Sequence, residues 1–459
     1  MPETATTVDE SGIHRTVKRP SALARMLESV IDTGRVILEL RRGGKTAGHG
    51  RPEELIEQCR DLSNHRGEAS GLALASEILS RYQQLSPEGR ILFFELLNRD
   101  FSVDPDAVIQ AAERYRHQPD DSTLAGLSKA VESPRQKLFR RMNMAPGGTS
   151  ALVKMREHLL GVVRERPELR PIDTDLRQLL IAWFNRGFLM IDRINWNSPA
   201  AVLEKIIKYE AVHEINGWED LRRRLEDDRR CFAFFHPAMP DDPVIFVEIA
   251  LNSSSATAIK PLIGTDRSTG DARHADTATF YSISNCHKGL QGISFGNFLI
   301  KQVTQELQID LPNIKNFETL SPIPGFREWL TSDFAMTTDD WSTDVQIARQ
   351  AMSDLADAPD QQLSDPVRNT CMKLCAHYLL NEKSRGGPLD PVARFHLGNG
   401  ASMERINWAA DGSEAGLSRS LGIMVNYVYR PSDIEKNHDA YFAENQIAAS
   451  TAMRKLAKR

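Results

Sequence analysis

Residues 277–308 read TATFYSISNCHKGLQGISFGNFLIKQVTQELQ, and the order of textures in this run decides the fold around it. Thr277 to Ser284 is rich in β-branched and aromatic residues, the composition of a strand. Phe298, Leu299, Val303 and Leu307 recur at helical spacing, so an amphipathic helix opens near Asn297. Between them lies a loop, Asn285 to Gly296, that carries glycines 289, 292 and 296. Glycines lack a Cβ and let backbone amides approach a ligand, while the helix start aims unpaired N–H groups and a positive dipole end at the same place. This is the outline of a pyrophosphate cradle, although a plain strand-to-helix turn has the same spacing. The loop has neither the Gly-Lys-Ser/Thr of a Walker A segment nor the G-x-G-x-x-G of a dinucleotide fingerprint. Nucleotide hydrolysis and hydride transfer lose ground accordingly.

On either side, strand-like content appears at Cys231 to Phe235, Val244 to Leu251, Met403 to Ala410 and Leu421 to Tyr429, and Ser198-Pro199 opens a helix among them. The spacing is too irregular for a barrel of βα repeats. Residues 333–365, rich in Asp, Ser, Thr and Ala, read as a solvated helical insertion or long connection. Upstream of Arg186 the texture is different. Ser86-Pro87, Asp104-Pro105 and Ser133-Pro134 each place a capping side chain and a first-turn proline before an amphipathic run, and Pro146-Gly147-Gly148 marks a further break. We therefore expect an α+β protein with a loose arm over 1–20, an all-helical domain over 21–186 and a mixed α/β domain over 187–459.

The charge balance, 57 basic against 62 acidic residues, gives no global field for a nucleic-acid backbone or an anionic membrane. The runs Arg222-Arg223-Arg224 and Arg229-Arg230 sit among acidic residues and read as solvated helix faces. Five scattered cysteines argue for a reducing compartment and against a disulfide framework. Cys371 and Cys375, one helical turn apart, lack the further ligands of a zinc site. The apolar runs are too short for a membrane span, and the N-terminus resembles no secretory or mitochondrial leader. A cytoplasmic protein is the expectation.

Three segments could carry chemistry. Gly292-Ile293-Ser294-Phe295-Gly296 matches the G-x-S-x-G nucleophile elbow, with His396 following in hydrolase order, but Ser294 stands well beyond the strand end where an elbow serine belongs. Ser321 precedes Pro322 and Pro324, which fix φ, remove two donors and hold a serine hydroxyl on an extended backbone. His396 lies in Phe395-His396-Leu397-Gly398-Asn399-Gly400, where Asn399-Gly400 reads as a turn into the strand Met403 to Ala410, so the imidazole is expected at a strand end.

Together these segments resemble the malonyl-CoA decarboxylase family. The likeness lies in Phe280-Tyr281-Ser282-Ile283-Ser284, Gly289-Leu290-Gln291-Gly292, Phe298-Leu299-Ile300-Lys301, Leu320-Ser321-Pro322-Ile323-Pro324-Gly325-Phe326, Phe395-His396-Leu397 with Asn399-Gly400-Ala401, and Arg405-Ile406-Asn407-Trp408, in that order. The resemblance implies a helical N-terminal domain used in self-association and a catalytic domain of GNAT-type acyltransferase fold. It implies Ser321 and His396 as the catalytic pair, and Gln291, Gly292, Ile293, Ser294, Phe295, Gly296 and Asn297 as the thioester-binding loop, with Tyr429 lining the pocket. Ser294 departs from the acidic residue found in some relatives. The terminus Lys455-Leu456-Ala457-Lys458-Arg459 lacks the Ser-Lys-Leu address of others.

The activity so implied is conversion of malonyl-CoA to acetyl-CoA and carbon dioxide, with no metal and no cofactor beyond the coenzyme A of the substrate. The assembly implied is a homo-oligomer, dimer or tetramer. Imidazole suits the chemistry because an ordinary pKa of about 6.5 makes both protonation states accessible near neutrality. A coenzyme A-dependent acyltransferase of the same fold, a thioesterase using Ser294 and a noncatalytic thioester-sensing module are the alternatives.

Overall fold

In the first part of the chain, helix starts are set by short-range chemistry. Ser86 Oγ accepts from Gly89 N at 3.1 Å, Asp104 Oδ1 from Asp106 N at 3.0 Å and Ser133 Oγ from Gln136 N at 3.3 Å. Each satisfies a donor that the first helical turn cannot pair internally. The helices begun in this way are Pro87–Asp100, Pro105–His117 and Pro134–Asn143. Gly147 takes φ +69° before the helix Gly148–Val162, a left-handed turn that suits glycine. The computed structural model describes residues 29–34, 51–265, 269–293, 299–332, 342–357, 362–384 and 387–458. The loose arm expected over 1–20 and the roles expected of Ser294, Phe295, Gly296 and Asn297 lie outside the described residues.

The chain divides into two units. The first runs through Asn185 and also takes in residues 287–293. Its core joins Ile78, Phe93, Phe94, Leu138, Phe139, Leu152, Met155 and Leu176, all buried. Full burial of such a side chain contributes roughly 1.5–3 kcal/mol. Within this unit Gly289 packs against the helix Gly148–Val162, and a Cβ on it would lie 1.9 Å from the Val153 carbonyl oxygen. Arg156 of that helix donates to the carbonyls of Gly289 (2.7 Å) and Gln291 (2.9 Å), while its Nε meets Asp173 at 2.7 Å. Gly289 is thus small because a helix backbone needs the space, not to admit a ligand as its place in the sequence suggested.

The second unit is built on a seven-stranded sheet. Its strands are β1 Met190–Ile194, β2 Arg229–His236, β3 Met239–Asn252, β4 Thr277–Asn285, β5 Asn316–Thr319, β8 Ser402–Asn407 and β9 Met424–Val428, in the order β1-β2-β3-β4-β5-β9-β8. Two-residue strands β6, Lys383–Ser384, and β7, Gly387–Pro388, form a separate pair. The pair β4–β5 is parallel and every other pair in the large sheet is antiparallel. The α+β class read from the sequence, helices first and then a mixed sheet with helices, is the one observed. No helix among the described residues is long and apolar enough to cross a membrane.

Two sequence readings fail here. Arg223, Arg224, Arg229 and Arg230 are buried, not solvated. Arg224 reaches Asp220 at 3.0 Å and Glu248 of β3 at 2.8 Å, and Arg223 grips Asp228 with two nitrogens. Only Arg222 of that run keeps an exposed side chain, lying 4.5 Å over the Trp196 ring. Asp220 and Asp228, among the acidic neighbours that suggested a solvated face, join the distant Glu248 and Asp310 in pairing the buried guanidinium groups. Within 333–365 the described helix Ser342–Asp357 is helical as read, but Val345, Ala348, Ala351 and Leu355 form a buried stripe, so one face is core.

Gly289→Ala should therefore cost about 1–3 kcal/mol of folding stability, because the colliding atom is backbone and cannot swing aside. Urea unfolding of the two proteins checks this, and a difference below about 0.5 kcal/mol would contradict the packing described.

Candidate active site

Where β4 and β5 cease to pair, the chain places a serine. Their register ends at Phe280↔Thr319, and Leu320 N makes a last bond to Phe280 O at 2.9 Å. Ser321 then crosses to β9, exchanging N–H···O bonds with Val425 at 2.9 Å in each direction. Pro322 and Pro324 hold the backbone extended and supply no N–H of their own. The hydroxyl is consequently fixed at its root. Its Oγ donates to Thr319 Oγ1 at 2.8 Å and lies 3.0 Å from His396 Nε2.

His396 arrives on a helix, not at a strand end as its sequence suggested. The helix is Pro391–Gly398, and Asp390 caps it by accepting from Val392 N and Ala393 N, both at 2.9 Å. Asn399-Gly400 closes this helix: Asn399 N bonds back to the Phe395 and His396 carbonyls. Gly400 takes φ +82°, and a Cβ on it would lie 2.2 Å from the Ile434 carbonyl oxygen. The Asn-Gly pair is a turn leading into β8, as its sequence suggested, and the element it follows is a helix.

The imidazole is held on three sides. Nδ1 lies 2.8 Å from the Tyr429 hydroxyl, Nε2 faces Ser321, and the ring stacks on Tyr427 with centroids 4.6 Å apart and planes at 24°. Tyr429 lies alongside the imidazole within the core and does not border open space, being 1% exposed. Thr319 in turn accepts from Tyr427 N at 3.2 Å. Behind Thr319, its carbonyl accepts from Asn426 Nδ2 at 2.7 Å, and Asn426 Oδ1 accepts from Asn407 (2.6 Å) and Arg405 (2.9 Å). This explains why Arg405 and Asn407 stand in one motif.

Burial decides the protonation state. His396 is 3% exposed and Ser321 5%, and desolvation pulls the imidazole pKa down to about 3. The ring is neutral at physiological pH and lacks the two accessible protonation states of an imidazole with an ordinary pKa near 6.5. A neutral imidazole donates from one nitrogen and accepts at the other. With Tyr429 donating to Nδ1, Nε2–H points at Ser321 Oγ, whose own hydrogen is on Thr319. Each contact along the row Tyr429–His396–Ser321–Thr319 then has one donor and one acceptor.

Of the residues singled out in the sequence, Ser321, His396 and Tyr429 come together in the second unit. Gln291, Gly292 and Ile293 belong to the first, where the Gly292 carbonyl accepts from Arg177 Nη2 at 3.2 Å and Gly292 takes φ +74°. Thr319, Tyr427, Asn426 and Asp390 were not foreseen. Asp390-Pro391 repeats the capping signal legible at Asp104-Pro105 and could have put His396 on a helix. Among the described residues no group of three or more His, Cys, Asp or Glu side chains could hold a metal ion.

Residues 187–459 match the family model for the malonyl-CoA decarboxylase C-terminal domain, and residues 101–184 that for the N-terminal domain. This chain belongs to the malonyl-CoA decarboxylase family. A mitochondrial malonyl-CoA decarboxylase of Anser anser anser is 37% identical to it, with 77% of each chain covered. The crystal structure of malonyl-CoA decarboxylase from Rhodopseudomonas palustris is 45% identical, covers 88% of this chain and 99% of its own, and superposes with a TM-score of 0.81. That from Agrobacterium vitis is 44% identical, with 88% and 100% covered and a TM-score of 0.80.

The depressed pKa of His396 has a sign that can be tested. A group whose pKa falls on folding binds its proton more readily in the unfolded chain, so its contribution is fully present above about pH 6.5 and is lost as pH falls toward 3. Between pH 7.5 and pH 5 this residue should take away about 2 kcal/mol of folding stability. His396→Asn should lack that component. Equal slopes of stability against pH in the two proteins would contradict the assignment.

Proposed function

We propose that this chain, a carboxy-lyase of the malonyl-CoA decarboxylase family, converts malonyl-CoA to acetyl-CoA and carbon dioxide, with Ser321 and His396 at the reacting carbons. The observation that carries the reading is the row Tyr429–His396–Ser321, buried, rigidly rooted and uncharged. The bond between the α-carbon and the carboxylate breaks, and its electron pair moves onto the thioester oxygen as an enolate. The same pair then forms a C–H bond. A site for this needs a grip on the carboxylate, donors toward the developing oxyanion and one proton for carbon.

The neutral row can supply that proton in a single shift. Ser321 turns its O–H from Thr319 to the carbon, His396 Nε2–H replaces it, and the Tyr429 hydroxyl donates to Nδ1. One proton from solvent, passed back along Ser321 and His396 from the acyl side once carbon dioxide has left, then restores Tyr429, which balances the reaction. Before carbon dioxide leaves, the Ser321 hydroxyl and the imidazole N–H are the donors assigned to the malonyl carboxylate. Low local dielectric strengthens both contacts.

We assign Gln291 through Asn297 to the coenzyme A portion, as the family resemblance implies. Arg156 draws the Gly289 and Gln291 carbonyls onto one guanidinium and so fixes the chain as far as Gln291. No acyl acceptor is required by this reading, unlike an acyltransferase. Ser294 has no role as a nucleophile in it.

Incubation with malonyl-CoA and identification of products by mass should give acetyl-CoA and carbon dioxide with no added acceptor. Ser321→Ala and His396→Asn should each lower kcat by about 10²–10⁴-fold, while a nonreactive malonyl thioether analogue binds within several-fold of the parent. Full activity in either variant, or free coenzyme A as the product with loss of activity in Ser294→Ala, would contradict the reading.

A further inference from the structure

Asp390 is a wholly buried carboxylate to which the chemistry above gives no part. Its Oδ1 accepts from Val392 N and Ala393 N and so caps the helix that carries His396. Its Oδ2 faces elsewhere, accepting from Gly325 N at 3.3 Å and, more loosely, from the Tyr378 hydroxyl at 3.5 Å. Gly325 closes the turn that begins at Ser321. One carboxylate therefore touches both segments that carry the reacting pair, with one oxygen on each.

The second contact is narrowly built. A Cβ on Gly325 would lie 2.2 Å from the Tyr378 hydroxyl and 3.6 Å from Asp390 Oδ2. The Tyr378 ring is itself wedged against Phe326 (5.7 Å between centroids) and Trp329 (5.4 Å), both on the short helix Phe326–Thr331 that follows the turn. The turn has no room to slide past the helix cap. From this we infer that Asp390 is a positioning residue for decarboxylation: it ties the Ser321–Gly325 turn to the first turn of the His396 helix and so sets the spacing of Ser321 Oγ and His396 Nε2. The inference rests on the roles given to those two residues above. Its physical weight comes from the steep dependence of such reactions on geometry, where a misplacement of about 1 Å costs about 10²-fold.

Asparagine separates the two contacts. It caps helices about as well as aspartate, so Asp390→Asn keeps an oxygen for Val392 and Ala393, but it presents an NH2 group to Gly325 N–H, a donor against a donor. Asp390→Asn should remain folded, lose about 10–100-fold in kcat, and keep KM and thioether-analogue affinity within about threefold. In the Ser321→Ala background, measured by single turnover at high enzyme concentration, the same change should cost less than about threefold, since residues that act as a unit are not additive. A kcat within twofold of the parent, or the same fold-loss in both backgrounds, would overturn the inference.

Gly325→Ala provides an independent handle through the other side of the clip. It should lower kcat without a matching rise in KM, and adding Tyr378→Phe, which removes the colliding oxygen, should restore at least tenfold. Failure of the second change to restore activity would also count against the clip. Wild-type activity in Ser321→Ala itself would instead strike at the assignment of the reacting pair, so the two failures are distinguishable.

Discussion

The hydrogen bond between Ser321 Oγ and His396 Nε2, 3.0 Å long, joins two elements that the chain brings together from far apart. One is a strand continuation stiffened by two prolines, the other the last turn of a short capped helix. Neither group can seek the other, because the serine backbone is locked to β9 and the imidazole is stacked on Tyr427 and tied to Tyr429. The contact is inherited from the sheet and the helix cap. Sites built on such elements hold their geometry better than sites on loops.

Burial gives this contact its chemical character. In water the imidazole would be charged for part of the time at neutral pH. Here its surroundings exclude that state and leave a row of neutral donors and acceptors. In the proposed reaction, which creates and then quenches a carbanion, an uncharged relay would avoid stabilising the substrate carboxylate too strongly before it departs. The cost falls on folding, since a group that resists its proton lowers stability in acid.

Much of the architecture was legible because it is written in local rules. Ser86, Asp104 and Ser133 declare helix starts within four residues, and the β-branched run Thr277–Ser284 declares a strand. The α+β class and the order of its parts follow from such signals. What stayed hidden depends on partners distant in sequence. Arg224 looks like part of a solvated charge run until Glu248 of β3 is placed beside it, and Gly289 looks like a ligand-facing glycine until the Val153 carbonyl arrives. Ser321 and His396, the pair proposed to react, stood out through family likeness joined to proline stiffness. Their environment did not: the turn at Asn399-Gly400 leads into β8 as read, but it does not reveal that a helix carries His396 up to that turn. Asp390 was within reach, since Asp-Pro before an apolar run had already been read correctly at Asp104.

In the proposed chemistry the malonyl carboxyl end meets Ser321 and His396 together. A crystal structure with a nonreactive malonyl-CoA thioether bound would show where that end lies. A carboxylate oxygen should then fall within hydrogen-bond distance of both Ser321 Oγ and His396 Nε2, with the α-carbon facing the serine hydroxyl. An acyl group seated away from this pair, with Ser321 still bonded to Thr319 and His396 untouched, would contradict that chemistry.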